Sequence, residues 1–121
     1  MIHIGHLYDG LNATLKKDMD IVIVGNRITD IAPHQIGRSA TKFIDASDAY
    51  ALPGLIDIHA HQGSWAGEKL GRQWLAWGVT ATRDPATVAL DALNRREATQ
   101  SNRYIGPRIF FTGSPLSLIH I

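Results

Sequence analysis

The sequence contains no cysteine, almost no net charge and no long apolar run. Without cysteine there can be no disulfide, thiolate metal site or cysteine nucleophile. Twelve basic and eleven acidic residues give a net charge of +1, which predicts no nucleic-acid partner and no membrane surface held by bulk charge. No run approaches the roughly 20 apolar residues of a transmembrane helix. A composition of 45% hydrophobic and 19% charged residues is typical of a folded globular chain.

The N-terminus gives little information about the compartment. Residues 1–6 lack the basic start and long apolar core of a signal peptide. A start upstream of Met1 would hide an export signal, so a cytoplasmic location is only the default expectation and an exported parent protein stays open. The sequence gives no indication of the oligomeric state.

Residues 1–52 are predicted to form several short antiparallel strands. Two apolar runs, 21–24 and 27–32, flank Gly25-Asn26, which is a strong hairpin signal. The alternation slips near Thr29-Asp30, which predicts a bulge or a strand end there. Further strands are predicted at residues 2–7 and 42–46, a solvated loop at residues 16–18 and a turn at Ser47-Asp48. His3 and His6 could be a ligand pair, although surface positions at a strand end are favoured.

The stretch from Leu55 to His61 is the most informative part of the sequence. Read with a period of two, it is a strand with Asp57, His59 and His61 on one face. Two imidazoles at this spacing, roughly 6.6 Å along a strand, can converge on one ion. An ordinary core strand would not bury three polar side chains in a row, whereas metal ligation removes that cost. The alternative is a solvent-facing edge strand with two incidental histidines.

The second half alternates helices and strands. Helices are predicted at residues 68–77 and 87–101 and strands at residues 79–83 and 108–113. Leu70, Trp74 and Trp77 form one apolar stripe on the first helix. Val88, Leu90, Ala92 and Leu93 are predicted to be the buried side of the second helix. Strand–helix–strand order with short connections predicts parallel pairing by right-handed crossovers.

Two positions, Asp84 and Trp65, each have two interpretations. Asp84 before Pro85 fits a helix N-cap, which is favoured, but it also ends a strand and could face an active site. Arg95 and Arg96 are predicted to be a solvated charge pair. Trp65 could line a substrate pocket or pack on the following helix.

The Asp-x-His-x-His pattern at Asp57, His59 and His61, preceded by Pro53-Gly54, resembles the signature of the amidohydrolase superfamily, the metal-dependent hydrolases of the urease, dihydroorotase and imidazolonepropionase type. Flanking segments, residues 20–24, 27–32 and 44–47 before it and 78–85 after it, are also similar to that family. The resemblance implies an α/β fold: an N-terminal segment of a flanking β-sandwich (residues 1–52), followed by the first βα units of an incomplete (β/α)8 barrel (residues 53–115). Residues 116–121 resemble a translated sequencing adapter and are expected to be a non-native tail.

The resemblance also implies a function. His59 and His61 would bind a divalent metal, with zinc favoured. The parent protein would use metal-activated water to hydrolyse C–N bonds of a small-molecule substrate. The substrate classes implied are amides, cyclic amides and amino-heterocycles. A (β/α)8 barrel needs about 250 residues, so a chain of 121 residues can hold only part of one. The family's other ligands and its general base come from later strands, so this fragment is expected to be inactive. The alternative is a small β-rich binding module with a structural or incidental histidine pair.

Overall fold

The computed structural model describes residues 1–63 and 67–114 and contains two compact units. The first unit is Met1–Pro53, and the second begins at Gly54. Trp65 and residues 116–121, for which the sequence made specific predictions, lie outside the described residues. No helix among the described residues has the length and apolar character needed to cross a membrane.

The first unit is built on a four-stranded sheet. Its strands are β1 (Ile2–Leu7), β2 (Lys16–Val24), β3 (Arg27–Pro33) and β4 (Ile44–Ala51), in the spatial order β3-β2-β1-β4. The predicted hairpin at Gly25-Asn26 is confirmed, because β2 and β3 pair antiparallel across it. The prediction of antiparallel strands throughout is wrong for β4, which pairs parallel to β1. The chain crosses from β3 at one edge of the sheet to β4 at the other. There β4 lies next to β1 and runs in the same direction.

Strand ends in this sheet differ from the sequence prediction where tertiary pairing overrides local turn signals. The strand β2 begins at Lys16, inside the predicted loop, because Lys16 and Lys17 pair with Leu7 and His6. The strand β4 continues through the predicted turn at residues 47–48 to Ala51, which pairs with Leu7. The predicted bulge is confirmed: Val22 faces Asp30 and Ile23 faces Ile28, which leaves Thr29 as the extra residue.

A small apolar cluster holds the first unit together. Ile4 and Leu7 of β1 pack with Met19 and Ile21 of β2, and all four side chains are buried. Ile2 and the alanines of β4 add partly buried surface. Because this core is small, polar contacts at the sheet matter for its stability.

The same sheet also carries a polar cluster. The carboxylate of Asp20 is fully buried and lies 2.8 Å from Nδ1 of His34. The ring of His34 stacks on that of His3 at 3.8 Å between centroids, and Nε2 of His3 lies 2.7 Å from the carboxylate of Asp18. His6 instead stacks on Tyr50. His3 and His6 therefore contact different rings and do not converge as a ligand pair.

The second unit is a parallel α/β arrangement. Its elements are β5 (Leu55–Asp57), α1 (Gly67–Ala76), β6 (Val79–Asp84), α2 (Ala89–Gln100) and β7 (Arg108–Phe111). The three strands pair parallel in the order β5-β6-β7, as the strand–helix–strand pattern predicted. The chain turns from α1 into β6 at Gly78, whose φ of 80° suits glycine at a helix end.

The helices bury less apolar surface than their sequences suggested. On α1, Leu70 and Trp74 are half-buried, but Trp77 follows the end of the helix and is 81% exposed. The prediction of one stripe is therefore wrong at Trp77. On α2 the fully buried residues are the small Ala92 and Ala98. Val88 and Leu90, predicted to be buried, are exposed because the helix begins only at Ala89 and turns a different face inward.

Replacing Gly5 with alanine should destabilise the first unit. A Cβ at this position of β1 would overlap the backbone carbonyl oxygen of Ser47 in β4. Overpacking of this kind costs about 1–3 kcal/mol, so the urea midpoint of Gly5→Ala should fall. Gly25→Asn is the control, because Gly25 has open space around it and asparagine tolerates its positive φ of 62°. Equal midpoints for Gly5→Ala and the unaltered chain would contradict the close strand approach.

The buried Asp20 should make the first unit sensitive to acid. Burial by itself raises the pKa of Asp20, but hydrogen bonds from His34 and the backbone N–H of Gln35, with the nearby charge of Arg38, outweigh it and lower that pKa. Folding is therefore linked to proton release at this carboxyl. Its contribution to stability is fully present above the ordinary aspartate pKa of about 3.9 and is lost as pH falls through the lower folded value.

The Asp20→Asn variant tests this linkage by urea unfolding between about pH 2 and 7. It should be less stable at neutral pH and should lose less stability on acidification than the unaltered chain. The exposed Asp48 offers a matched control, and Asp48→Asn should keep the original pH profile. An Asp20→Asn profile parallel to that of the unaltered chain at all pH values would exclude Asp20 as a source of acid sensitivity.

Candidate metal centre

His59 and His61 lie side by side just beyond the carboxyl end of β5. Their ring centroids are 5.2 Å apart and the rings meet edge to face at 80°. The strand ends at Asp57, so the prediction of a continuous strand to His61 is wrong. The physical reason is a local turn: the backbone N–H of His59 donates to Oδ1 of Asp57 at 3.0 Å. The structure thus brings the two predicted site residues together on a bent segment.

The residue between the two histidines is anchored to the neighbouring strand. Ala60 is buried, and its backbone N–H donates to the carbonyl oxygen of Arg83 in β6 at 2.9 Å. This bond continues the β5–β6 pairing past the bend. The backbone that carries His59 and His61 is therefore fixed to the sheet, although both imidazole side chains are exposed.

Asp84 faces this histidine pair from the carboxyl end of β6. The favoured prediction of a helix N-cap is wrong, because α2 begins at Ala89 after Val88, with no side-chain cap. Asp84 is 1% exposed, and its Oδ1 lies 3.5 Å from Nδ1 of His61. The same oxygen accepts the backbone N–H of Ala86 at 3.2 Å. Asp84 instead lies beside His61, as the alternative interpretation, that it faces an active site, requires.

Gln62, the residue after His61, is held by hydrogen bonds that the sequence did not predict. Gln62 is 3% exposed, and its backbone N–H donates to Oδ2 of Asp84 at 2.8 Å. Its side-chain amide donates to the hydroxyl of Thr82 on β6. Arg95 of α2 donates to both oxygens of Gln62 and, at 2.9 Å, to the carbonyl oxygen of Gly63. The segment 62–63 is thus held from the strand side and from the helix side.

Arg95 is not the solvated residue that the sequence suggested. Burial lowers the pKa of Arg95, and the negative charges of Asp84 and Asp91 act in the opposite direction. Its position could have been found from spacing, because Arg95 lies three residues from both Ala92 and Ala98, the buried residues of the helix. Arg96 is also partly buried, with its guanidinium 5.1 Å from the centre of the Phe111 ring.

The described residues do not form a complete metal site. Across residues 1–63 and 67–114, no three histidine, aspartate or glutamate side chains come together in a way that could hold a metal ion. Asp57, the third polar residue of the predicted strand face, is engaged by the backbone of His59. Two neighbouring, exposed imidazoles with a buried carboxylate behind one of them do fit two of the ligand positions of a divalent ion.

Comparison with proteins of known sequence gives two relevant matches, although no family model matches the chain. Allantoinase from Arabidopsis thaliana is 30% identical in an alignment that covers 67% of this chain and 18% of allantoinase. A 5′-deoxyadenosine deaminase from Methanothrix thermoacetophila is 38% identical over 41% of this chain and 12% of the deaminase. The chain therefore spans less than a fifth of the length of these curated relatives.

Solved structures match nearly the whole chain. A Xaa-Pro dipeptidase with methionine bound in its active site is 32% identical, with a TM-score of 0.75 over 96% of this chain and 33% of the dipeptidase. Molinate hydrolase, at 24% identity, shows the same fold with a TM-score of 0.80 over 93% of this chain and 29% of the hydrolase.

These matches agree with the histidine motif and with the parallel sheet that carries it. The named relatives are hydrolases, and the mixed α/β fold is consistent with the N-terminal part of such an enzyme. These similarities, each over part of the relative's length, point to the amidohydrolase superfamily.

Proposed function

We propose that this chain is part of a metal-dependent amidohydrolase that hydrolyses C–N bonds in amides, cyclic amides or amino-heterocycles. The observation that carries the proposal is the contact between the imidazoles of His59 and His61. They follow a strand of a parallel sheet, and in parallel α/β enzymes the carboxyl ends of the strands are where ligands bind. Allantoinase and the deaminase among the relatives support the reaction class.

In this proposal His59 and His61 contribute two imidazole ligands to one divalent ion, with zinc favoured. Imidazole suits zinc but also iron or nickel, so the pair by itself does not select the metal. A catalytic zinc normally takes three protein ligands, and the remaining ligands would come from elsewhere in the parent protein. When bound, such an ion supplies an activated water and polarises the carbonyl group of the scissile bond.

The chain's own residues prepare the ligand pair. Ala60 fixes the backbone between the histidines to β6, and the contacts of Gln62 with Asp84 and Arg95 fix the backbone that follows. Ligands held in place before binding lose less conformational entropy when the ion arrives. This bracing supports a binding role for a segment that is otherwise an exposed bend.

The proposal extends to the fold of the parent protein. The βαβαβ unit β5-α1-β6-α2-β7 would be the start of a (β/α)8 barrel, with residues 53–115 in the barrel and residues 1–52 in a flanking β-sandwich. Leu55, Ile56 and Ile58 are each more than half exposed, as expected of apolar side chains that further barrel elements would cover. The chain covers only about a third of the matched dipeptidase structure.

Zinc binding tests the role of the histidines directly. The purified chain should bind Zn²⁺ in a competition titration against a chromogenic chelator, and His59→Ala and His61→Ala should each weaken binding. Loss of an outer partner alone costs about 10–100-fold in metal affinity, so loss of a ligand should cost at least about tenfold. His6→Ala, on β1, serves as the control. Equal affinities for all four proteins would favour the binding module with an incidental histidine pair.

The isolated chain should lack hydrolase activity, whereas the protein that contains it should have it. The physical reason is the incomplete ligand set within the described residues. The measurement is product release from amide and cyclic-amide substrates by each protein, with zinc supplied. Turnover by residues 1–121 alone would contradict this expectation.

A dipeptide is the second candidate substrate class. The match of 32% identity over 96% of this chain to a Xaa-Pro dipeptidase favours it. The parent protein should be assayed with allantoin, with 5′-deoxyadenosine and with Xaa-Pro dipeptides. Proline release would assign peptide-bond hydrolysis, and ammonia release from the nucleoside would assign deamination.

A further inference from the structure

We propose that Asp84 is a positioning residue that fixes the ring tautomer of His61, and the inference rests on the proposed function of His61 as a metal ligand. Oδ1 of Asp84 lies 3.5 Å from Nδ1 of His61. An ionised carboxylate only accepts hydrogen bonds, so it favours the neutral imidazole that carries its proton on Nδ1. The lone pair is then on Nε2, which is the atom left to bind a cation.

Asp84 is held in place to do this. It is 1% exposed, and two backbone donors fix its carboxylate: the N–H of Gln62 on Oδ2 at 2.8 Å and the N–H of Ala86 on Oδ1 at 3.2 Å. Because each oxygen has a backbone partner, the group cannot turn away from His61 without leaving a buried donor unpaired. The carboxylate is therefore a fixed acceptor beside a half-exposed ring.

A purely structural role for Asp84, tying Gln62 to the end of β6, predicts a different response to substitution. Asparagine has the shape of aspartate but only one acceptor oxygen. If that oxygen accepts from Gln62, the shorter of the two backbone bonds, the amide NH₂ faces Nδ1 of His61. An NH₂ donor favours the opposite tautomer, with the proton on Nε2. A structural tie alone would leave the tautomer unaltered.

The experiment is a long-range ¹H–¹⁵N NMR spectrum of the ¹⁵N-histidine-labelled, metal-free chain at about pH 8.5, where model imidazoles are neutral. His61→Ala assigns the His61 signals. The unaltered chain should show His61 protonated on Nδ1, and Asp84→Asn should shift it to the form protonated on Nε2. His61 protonated mainly on Nε2 in the unaltered chain would overturn the inference, as would an unchanged tautomer in folded Asp84→Asn.

A fallback measurement and a matched control variant keep the test decisive. If Asp84→Asn fails to fold, the spectrum of the unaltered chain alone decides, because it reports the tautomer directly. Arg95→Gln is the matched control: it weakens the hold on residues 62–63 but leaves the carboxylate, so the tautomer of His61 should stay on Nδ1. A tautomer change in Arg95→Gln equal to that in Asp84→Asn would assign the effect to general loosening and overturn the inference.

A Zn²⁺ titration separates this inference from the proposed function. Asp84→Asn should bind Zn²⁺ about 10–100-fold more weakly than the unaltered chain, the usual effect of losing a carboxylate that orients a ligating histidine. If the unaltered chain has the Nδ1–H tautomer but binds no Zn²⁺, the proposed function fails and the positioning by Asp84 stands. If it binds Zn²⁺ while His61 is protonated on Nε2, the positioning fails and the proposed function stands.

Discussion

The hydrogen bond from the backbone N–H of Gln62 to the buried carboxylate of Asp84 is the contact on which the candidate site depends. It ties the segment after β5 to the end of β6 beyond the last paired residues of the two strands. Together with the bonds of Gln62 to Thr82 and Arg95, it fixes the backbone that follows His61. These buried contacts hold in place the exposed bend that carries the two imidazoles.

Each unit contains a buried carboxylate, and similar contacts stabilise the two carboxylates. Asp20 accepts a backbone N–H, from Gln35, and lies against an imidazole, that of His34. Asp84 likewise accepts backbone N–H groups and lies near the imidazole of His61. An unpaired buried carboxylate would be costly, whereas backbone donors satisfy it without the entropy loss of long side chains. The difference is exposure, because the ring next to Asp84 is about half open to solvent.

Much of the fold could be predicted from short-range sequence patterns. The predictions failed where contacts between residues far apart in the sequence override those patterns. The hairpin at Gly25-Asn26 and the bulge at Thr29 depend on neighbouring residues, and both were predicted correctly. The charged residues 16–18 hid the start of β2, because only pairing with β1 makes Lys16 part of a strand. The histidine pair was visible from its spacing. Asp84 was misassigned because an Asp-Pro sequence satisfies a helix-cap rule equally well.

Asp57, the acid of the Asp-x-His-x-His motif, has a different role from the two histidines because the backbone bends after it. On a fully extended strand, side chains two residues apart are roughly 6.6 Å apart, whereas the rings of His59 and His61 are 5.2 Å apart and in edge contact. The carboxylate of Asp57 stabilises the turn that accompanies this approach, since it accepts the N–H of His59. One acid thus shapes the backbone and a second, Asp84, contacts a ring. The geometry of the two imidazoles therefore depends on the turn at Asp57 as well as on the histidines themselves.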